Sequence, residues 1–252
     1  MYTVIFAGGY GTRLLEETRK VPKPMVKIGA KPILEHIINF YAKWGYKNFI
    51  ILTGYKHEKI YENFKKNRKL YSLNFLSNKT SLIKSFNNKI SINFLYTGLN
   101  TNKLNRLKKV ETYLKNEESF FLTYGDGLSN INLKKLLFLQ KKQKNICTLS
   151  AINPLPRFGL LKIKNKKVTR FEEKKIIQDH YVNGGFFVCD KKIFSYIENN
   201  KNFDFEQNIL SKLAKTNKLG CYKHHGFWYS MDTLRDKIYL NKLFKAGHAP
   251  WL

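Results

Sequence analysis

Tyr2-Thr3-Val4-Ile5-Phe6-Ala7-Gly8-Gly9-Tyr10-Gly11-Thr12-Arg13 opens the chain with a short apolar run that enters a glycine-rich turn without a break. Residues 2–7 are rich in β-formers and read as a buried strand. Working outward, strand and helix alternate. Pro32 stands where a helix begins, and Ile33 to Trp44 carries apolar residues at helical spacing until Gly45 stops it. Asn48–Leu52 reads as a strand, Lys56–Asn67 as a helix and Ser91–Tyr96 as a strand. Asn105–Lys115 reads as a helix, and Phe120–Thr123 as a strand that ends in Tyr124-Gly125-Asp126-Gly127. A helix near 132–143 precedes a strand over Ile146–Ile152. The polar, lysine- and asparagine-rich stretch 68–90 reads as a loop or irregular insertion.

Beyond residue 152 the pattern changes. Short strands follow one another from Leu160 to Val188, with turns at Lys164-Asn165 and Asn183-Gly184-Gly185. Short helices at 190–198 and 205–216, strands near 219–223 and 227–231, and a closing helix from Thr233 to Ala246 complete the chain. Asp232 is placed to cap that helix. The expectation is an α/β fold: a Rossmann-like, mostly parallel sheet with helices on both faces, plus an antiparallel extension for a second substrate. One domain is expected, with residues 1–152 as its first part and 153–252, with the closing helix, as its second. In such sheets the ligand lies beyond the carboxyl ends of the strands, where two of the glycine-rich segments fall.

Composition narrows the function classes. A hydrophobic content of 43% over 252 residues supports a packed core. No basic leader precedes the first strand, and no apolar stretch is long enough for a membrane helix, so a cytoplasmic location with no membrane partner is expected. Cys147, Cys189 and Cys221 are far apart in sequence, with no Cys-x-x-Cys pair, and read as reduced thiols. The formal charge of +28 invites a nucleic-acid role, yet only 7 of the 46 basic residues are arginine and the lysines are scattered. No nucleic-acid partner is expected; the charge favours anionic substrates.

Several short motifs carry chemistry. The turn Gly8 to Arg13 exposes backbone N–H groups suited to phosphate oxygens, and Arg13 adds a cationic fork. It is neither a dinucleotide fingerprint nor a P-loop. Pro22-Lys23-Pro24-Met25 mounts one lysine on a stiff backbone. Asp126, between glycines at a strand end, is a natural mount for a carboxylate that holds Mg²⁺. Asp232 is a second candidate metal ligand. Each has an ordinary alternative: a tight strand exit, a solvated lysine, a simple turn, a helix cap. His224 and His225 are adjacent on a strand, so they point to opposite faces and make no metal pair.

In order along the chain stand Gly-Gly-x-Gly-Thr-Arg, Pro-Lys-Pro-Met, Gly-Asp-Gly, Arg-Phe-Gly (157–159), Phe-x-Glu-Lys (171–174), Asn-Gly-Gly-Phe-Phe-Val (183–188) and Phe-Trp-x-x-Met-Asp-Thr-Leu-Arg-Asp (227–236). This series resembles the sugar-1-phosphate nucleotidylyltransferases. Leu-x-Glu-Glu-Thr (14–18), Lys-Pro-Ile-Leu-x-His-Ile (31–37), Tyr-Gly-Asp-Gly and Gly-x-Ala-Pro-Trp (247–251) favour their cytidylyl branch. The resemblance implies a Mg²⁺-dependent enzyme that joins CTP to a sugar 1-phosphate such as glucose 1-phosphate, for surface polysaccharide, and works as a homo-oligomer. It implies nucleotide contacts from Ala7, Gly8, Gly9, Gly11, Thr12, Arg13, Lys23, Arg106 and Gly125, with Arg13, Lys23 and Asp126 catalytic. It assigns the sugar phosphate to Gly159, Glu173, Lys174, Asn183 and Gly184, and Mg²⁺ to Asp126 and Asp232. The chain departs from the family pattern at Val21, Tyr96, Leu104-Asn105, Lys109 and Lys175, at the edges of the two substrate sites, so another triphosphate or acceptor stays open.

Overall fold

A computed structural model describes residues 1–77, 80–154, 158–173, 179–198 and 202–252. Eight strands form its central sheet: β1 (Thr3–Ala7), β2 (Asn48–Thr53), β3 (Tyr71–Phe75), β4 (Ile90–Tyr96), β5 (Ser119–Tyr124), β6 (Cys147–Ile152), β7 (Val182–Asp190) and β8 (Leu219–His224). Their order is β8-β6-β7-β5-β1-β2-β4-β3. Seven strands run in one direction, and only β7, wedged between β5 and β6, is antiparallel to its neighbours. Residues 1–152 and 153–252 therefore share one sheet.

The apolar run that opens the chain is explained by helices on both faces. Alternate residues of a strand point to opposite faces. Ile5 and Ala7 face one core with helix Ile33–Lys43, whose Ile33, Leu34, Ile37, Ile38 and Tyr41 are buried. Tyr2, Val4 and Phe6 face the other core, with Leu104, Leu107, Phe205 and Leu213. On the first face the closing turn packs inward: Trp251 is buried and its indole N–H donates to His36 Nδ1 at 3.2 Å. Two of the motifs quoted above thus meet as a structural contact.

Four local expectations are corrected. The stretch 68–90 is not all loop, because Tyr71–Phe75 adds an edge strand parallel to β4. Its Tyr-Ser-Leu-Asn-Phe alternates apolar and polar, and the buried Tyr71 ring packs edge-on against Phe64. The helix expected over 105–115 is two short helices, Lys103–Lys108 and Glu111–Leu114, the first capped by Asn102, whose side chain accepts from the Asn105 N–H at 2.9 Å. Asn183-Gly184-Gly185 is no turn; it lies inside β7, where the register against β6 jumps between Asn183 and Phe187. The cap of helix Leu234–Lys245 is Thr233, in a reciprocal box with Asp236, and not Asp232.

The antiparallel pieces are small. Leu160–Lys164 pairs with Lys167–Glu172 as a separate ribbon, and Gly127–Ser129 pairs with Trp228–Ser230. Among the described residues, no helix is long and apolar enough to cross a membrane. Cys147 and Cys189, remote in sequence, are cross-strand partners with their sulfurs 3.6 Å apart, free and buried; Cys221 is exposed.

Candidate active site

A crevice of about 490 Å³ opens beyond the carboxyl ends of β1 and β5. The turn after β1 forms one wall with Gly9, Gly11, Thr12 and Arg13, and the turn after β5 forms another with Gly125, Asp126 and Gly127. Gly11 sits at φ +67°, and a Cβ there would crowd Lys23 and Thr18, so the turn needs glycine at that point. Thr18 closes the segment by donating from its hydroxyl to the Gly11 and Leu14 carbonyls.

Lys23 is the centre of the charge arrangement. It lies in a single 3-10 turn, Lys23–Met25, stiffened by Pro22 and Pro24 and buried. Its Nζ donates to Asp126 Oδ2 at 2.5 Å and to Asp232 Oδ1 at 2.7 Å. Arg13 Nη2 reaches the same Asp232 oxygen at 3.0 Å. Burial alone would lower the Lys23 pKa, but Asp126 and Asp232 outweigh it and raise the value above that of an ordinary lysine. Burial pushes the Asp232 carboxyl up, yet Lys23, then Arg13 and the Ser230 hydroxyl, hold it below the usual carboxylate range.

The two carboxylates meet because the short ribbon aligns them. Ser230 pairs with Gly127, and the Met231 N–H donates to the Asp126 carbonyl at 2.9 Å. The Asp232 backbone is then fixed by Asp236, whose Oδ2 accepts from the N–H groups of Asp232 and Thr233. Because Thr233 takes the capping role, the Asp232 side chain is left to face the crevice.

The opposite wall comes from β7 and the segment before helix Ser211–Lys215. Asn183, Gly184, Gly185 and Phe186 line it, and Trp228 donates its indole N–H to the Gly184 carbonyl at 2.7 Å. Here lie residues that sequence reasoning missed. The Tyr124 hydroxyl donates to Glu206 Oε1 at 2.5 Å and accepts from Asn183 Nδ2 at 3.2 Å. Lys103 pairs with the same Glu206 and lies 5.2 Å from the centre of the Tyr124 ring. Burial and the neighbouring Glu206 raise the Tyr124 pKa far beyond an ordinary tyrosine, so this hydroxyl stays protonated. Glu206 occupies a one-turn π-helix, Phe205–Leu210, a local irregularity that residue spacing does not reveal.

Of the residues implied by resemblance, Ala7, Gly9, Gly11, Thr12, Arg13, Lys23, Gly125, Asp126, Asn183, Gly184 and Asp232 line the crevice. Gly159 and Glu173 do not. They adjoin each other at the foot of the 160–172 ribbon, where a Cβ on Gly159 would lie 2.8 Å from Glu173 Oε2. Lys174 and Arg157 lie outside the described residues. Gly8 and Arg106 also lie outside the crevice lining: both are buried, and the Arg106 guanidinium donates to backbone carbonyls where three strand ends converge. Among the described residues no group of three or more His, Cys, Asp or Glu side chains is gathered for a metal.

A parallel sheet with a glycine turn and two paired aspartates at its carboxyl end is the frame of a phosphoryl-handling enzyme, and the chain belongs to the nucleotidyl transferase family, whose model matches residues 2–242. It is 40% identical over 254 residues to the glucose-1-phosphate cytidylyltransferase of Salmonella typhimurium, covering 100% of this chain and 98% of the relative. It is 31% identical over 223 residues to the D-glycero-alpha-D-manno-heptose 1-phosphate guanylyltransferase of Campylobacter jejuni, covering 88% and 90% of the two chains. The fold matches that of the inositol-1-phosphate CTP transferase from T. maritima with a TM-score of 0.68 at 20% identity, over 98% of this chain and 96% of that one.

Proposed function

We propose that the protein joins CTP and α-D-glucose 1-phosphate to give CDP-glucose and pyrophosphate. The observation that carries this reading is the buried Lys23 ammonium held between Asp126 and Asp232 beneath the glycine turn. The full-length likeness to a glucose-1-phosphate cytidylyltransferase supports the choice of substrates. One catalytic domain does the work, with residues 1–152 holding the nucleotide and 153–252 the sugar phosphate.

The nucleophile is an oxygen of the sugar phosphate. A phosphate monoester has its second pKa near ~6, so this oxygen is already ionised and needs no general base. It forms a bond to the α-phosphorus of CTP as the bond from that phosphorus to the bridging oxygen breaks, and pyrophosphate leaves with the electron pair. The obstacle is the approach of two anions. Arg13 and Lys23, with the N–H groups of the turn after β1, offset the charge of the triphosphate. Asn183 and the Gly184 backbone orient the sugar, and Trp228 fixes the Gly184 carbonyl. Glu173 binds the sugar hydroxyls and Lys174 the sugar phosphate.

Asp126 and Asp232 suit Mg²⁺, because they already gather cationic groups and a hard divalent ion takes oxygen ligands from few carboxylates. Bound there, Mg²⁺ supplies charge neutralisation at the phosphates. The reading places the enzyme in the cytoplasm, making an activated sugar for surface polysaccharide. It works as a homo-oligomer: Leu161, Ile163, Val168 and Phe171 form one exposed apolar face of the 160–172 ribbon, suited to covering by a second copy.

The test is pyrophosphate release with Mg²⁺, glucose 1-phosphate and each of CTP, UTP, dTTP, ATP and GTP. Release with CTP alone supports the reading. Release with another triphosphate moves it to a different branch, and no release with any of them rejects glucose 1-phosphate as acceptor.

A further inference from the structure

Lys103 is the first residue of helix Lys103–Lys108, which follows β4. It directly precedes Leu104-Asn105, where the sequence departs from the family pattern. Asn102 caps the helix, and Leu104 and Leu107 are buried in the core, so the lysine stands on a fixed mount. Its ammonium pairs with Glu206 Oε1, and both residues line the crevice. The Asn102 side chain also donates to the Phe203 carbonyl at 2.8 Å, so the two segments stay joined without the ion pair.

A directed chain of hydrogen bonds runs from this pair to β7. Glu206 Oε1 accepts from the Tyr124 hydroxyl at 2.5 Å, and that hydroxyl accepts from Asn183 Nδ2 at 3.2 Å. Asn183 Oδ1 in turn accepts from the Gly185 N–H at 2.8 Å. Each link permits one direction only. An ammonium can only donate, and the carboxylate it pairs with can only accept. The Tyr124 hydroxyl keeps its proton, because burial and then Glu206 raise its pKa. It therefore gives that proton to Glu206 and turns a lone pair toward Asn183. A primary amide has two N–H donors, so Asn183 keeps one for the crevice it lines. The backbone beneath is equally constrained. Gly185 has φ +78°, a Cβ there would lie 2.5 Å from the Tyr124 ring, and the Thr123 hydroxyl donates to the Gly185 carbonyl at 2.9 Å.

We propose that Lys103 is a positioning residue for the acceptor: acting through Glu206 and Tyr124, it turns the Asn183 amide so that an N–H donor faces the sugar. A donor held in place beforehand needs no ordering when the substrate arrives. The inference rests on the proposed use of glucose 1-phosphate and on the place that reading gives Asn183.

Initial rates of pyrophosphate release give kcat and KM for each substrate in Lys103→Met, Lys103→Arg, Tyr124→Phe, Asn183→Ala and the double variant Lys103→Met with Asn183→Ala. Lys103→Met raises the KM for glucose 1-phosphate by roughly tenfold, while kcat and the KM for CTP stay within about threefold. Tyr124→Phe, which cuts the chain at its middle link, gives a rise of the same size. Lys103→Arg keeps the charge and stays within about threefold of wild type. In the Asn183→Ala background Lys103→Met has no further effect, because the two residues act on one chain. Equal rises in both KM values, or additive effects of Lys103→Met and Asn183→Ala, overturn the inference. Amide exchange at Gly185 reads the chain without turnover. It quickens in Lys103→Met, and an unchanged rate in the folded variant overturns the relay. If Lys103→Met does not fold, Tyr124→Phe decides by the same two readouts. Wild-type protein that releases no pyrophosphate from CTP and glucose 1-phosphate counts against the proposed function, and exchange at Gly185 still decides the relay.

Discussion

Lys23 and Asp232 stand 209 residues apart in sequence, and their side chains meet at 2.7 Å in the crevice. The lysine Nζ is shared with Asp126, so two carboxylates and one ammonium form a partly buried triad with Arg13 at its rim. Removing any member leaves the others with unbalanced charge.

The first prediction concerns that balance and its pH dependence. Asp232→Asn should lower turnover by roughly a hundredfold or more, the scale of losing a charge-stabilising group, while the protein still folds. The Asp232 pKa is depressed in the folded state. Its stabilising contribution is therefore fully present above the unfolded carboxylate value, near ~3.9, and is lost as pH falls through the lower folded value. Denaturant midpoints of wild type and Asp232→Asn should differ at neutral pH and converge below about pH 4. A gap that persists in acid argues against the ion pair as its source.

The second separates capping from site chemistry. Thr233→Ala should destabilise the protein by about 1 kcal/mol, because the Thr233 hydroxyl satisfies the Asp236 N–H at the start of the closing helix. Urea titration of Thr233→Ala beside Asp232→Ala checks this. A larger loss of stability in the Asp232 variant, with none in the Thr233 variant, would return the cap to Asp232.

The third addresses the crevice wall formed by β7. Trp228→Phe keeps an aromatic six-membered ring and removes the five-membered ring with the N–H that holds the Gly184 carbonyl at 2.7 Å. The KM for the sugar phosphate should rise by about fivefold, with the KM for CTP unchanged, as expected for one lost hydrogen bond. Equal rises for both substrates would show a general disturbance.

The fourth concerns stability alone. Thr3 in β1 is fully buried, and its hydroxyl has no hydrogen-bond partner among the described residues. Thr3→Val has the same shape without the orphaned group and should raise stability by about 1 kcal/mol. Thermal or urea unfolding of the purified variant provides the measurement, and a fall in stability would show that the hydroxyl is satisfied in solution.

The elements with strong local patterns were the legible ones. Residues 4–7 and 49–52 are apolar throughout because both sheet faces are covered, and helix Ile33–Lys43 shows its buried stripe through spacing alone. Tyr71–Phe75 was hidden because an edge strand buries little, and its lysine-rich surroundings mask a five-residue alternation. The break at Lys109-Val110 and the π-turn at Phe205–Leu210 have no residue signature, since packing against the sheet sets them.

The site divides in the same way. The order of glycine turn, proline-flanked lysine and two aspartates is a property of the sequence, because turn geometry, φ restriction and strand exits are decided within a few residues. The tertiary structure alone decided that one ammonium sits between Asp126 and Asp232, that Tyr124, Lys103 and Glu206 gather beside β7 in the crevice lining, and that Arg106 turns its charge into carbonyls behind the glycine turn. Those relations join residues tens to hundreds of positions apart. They depend on which strand ends lie side by side in the sheet and on where burial leaves a charged group its only available partners.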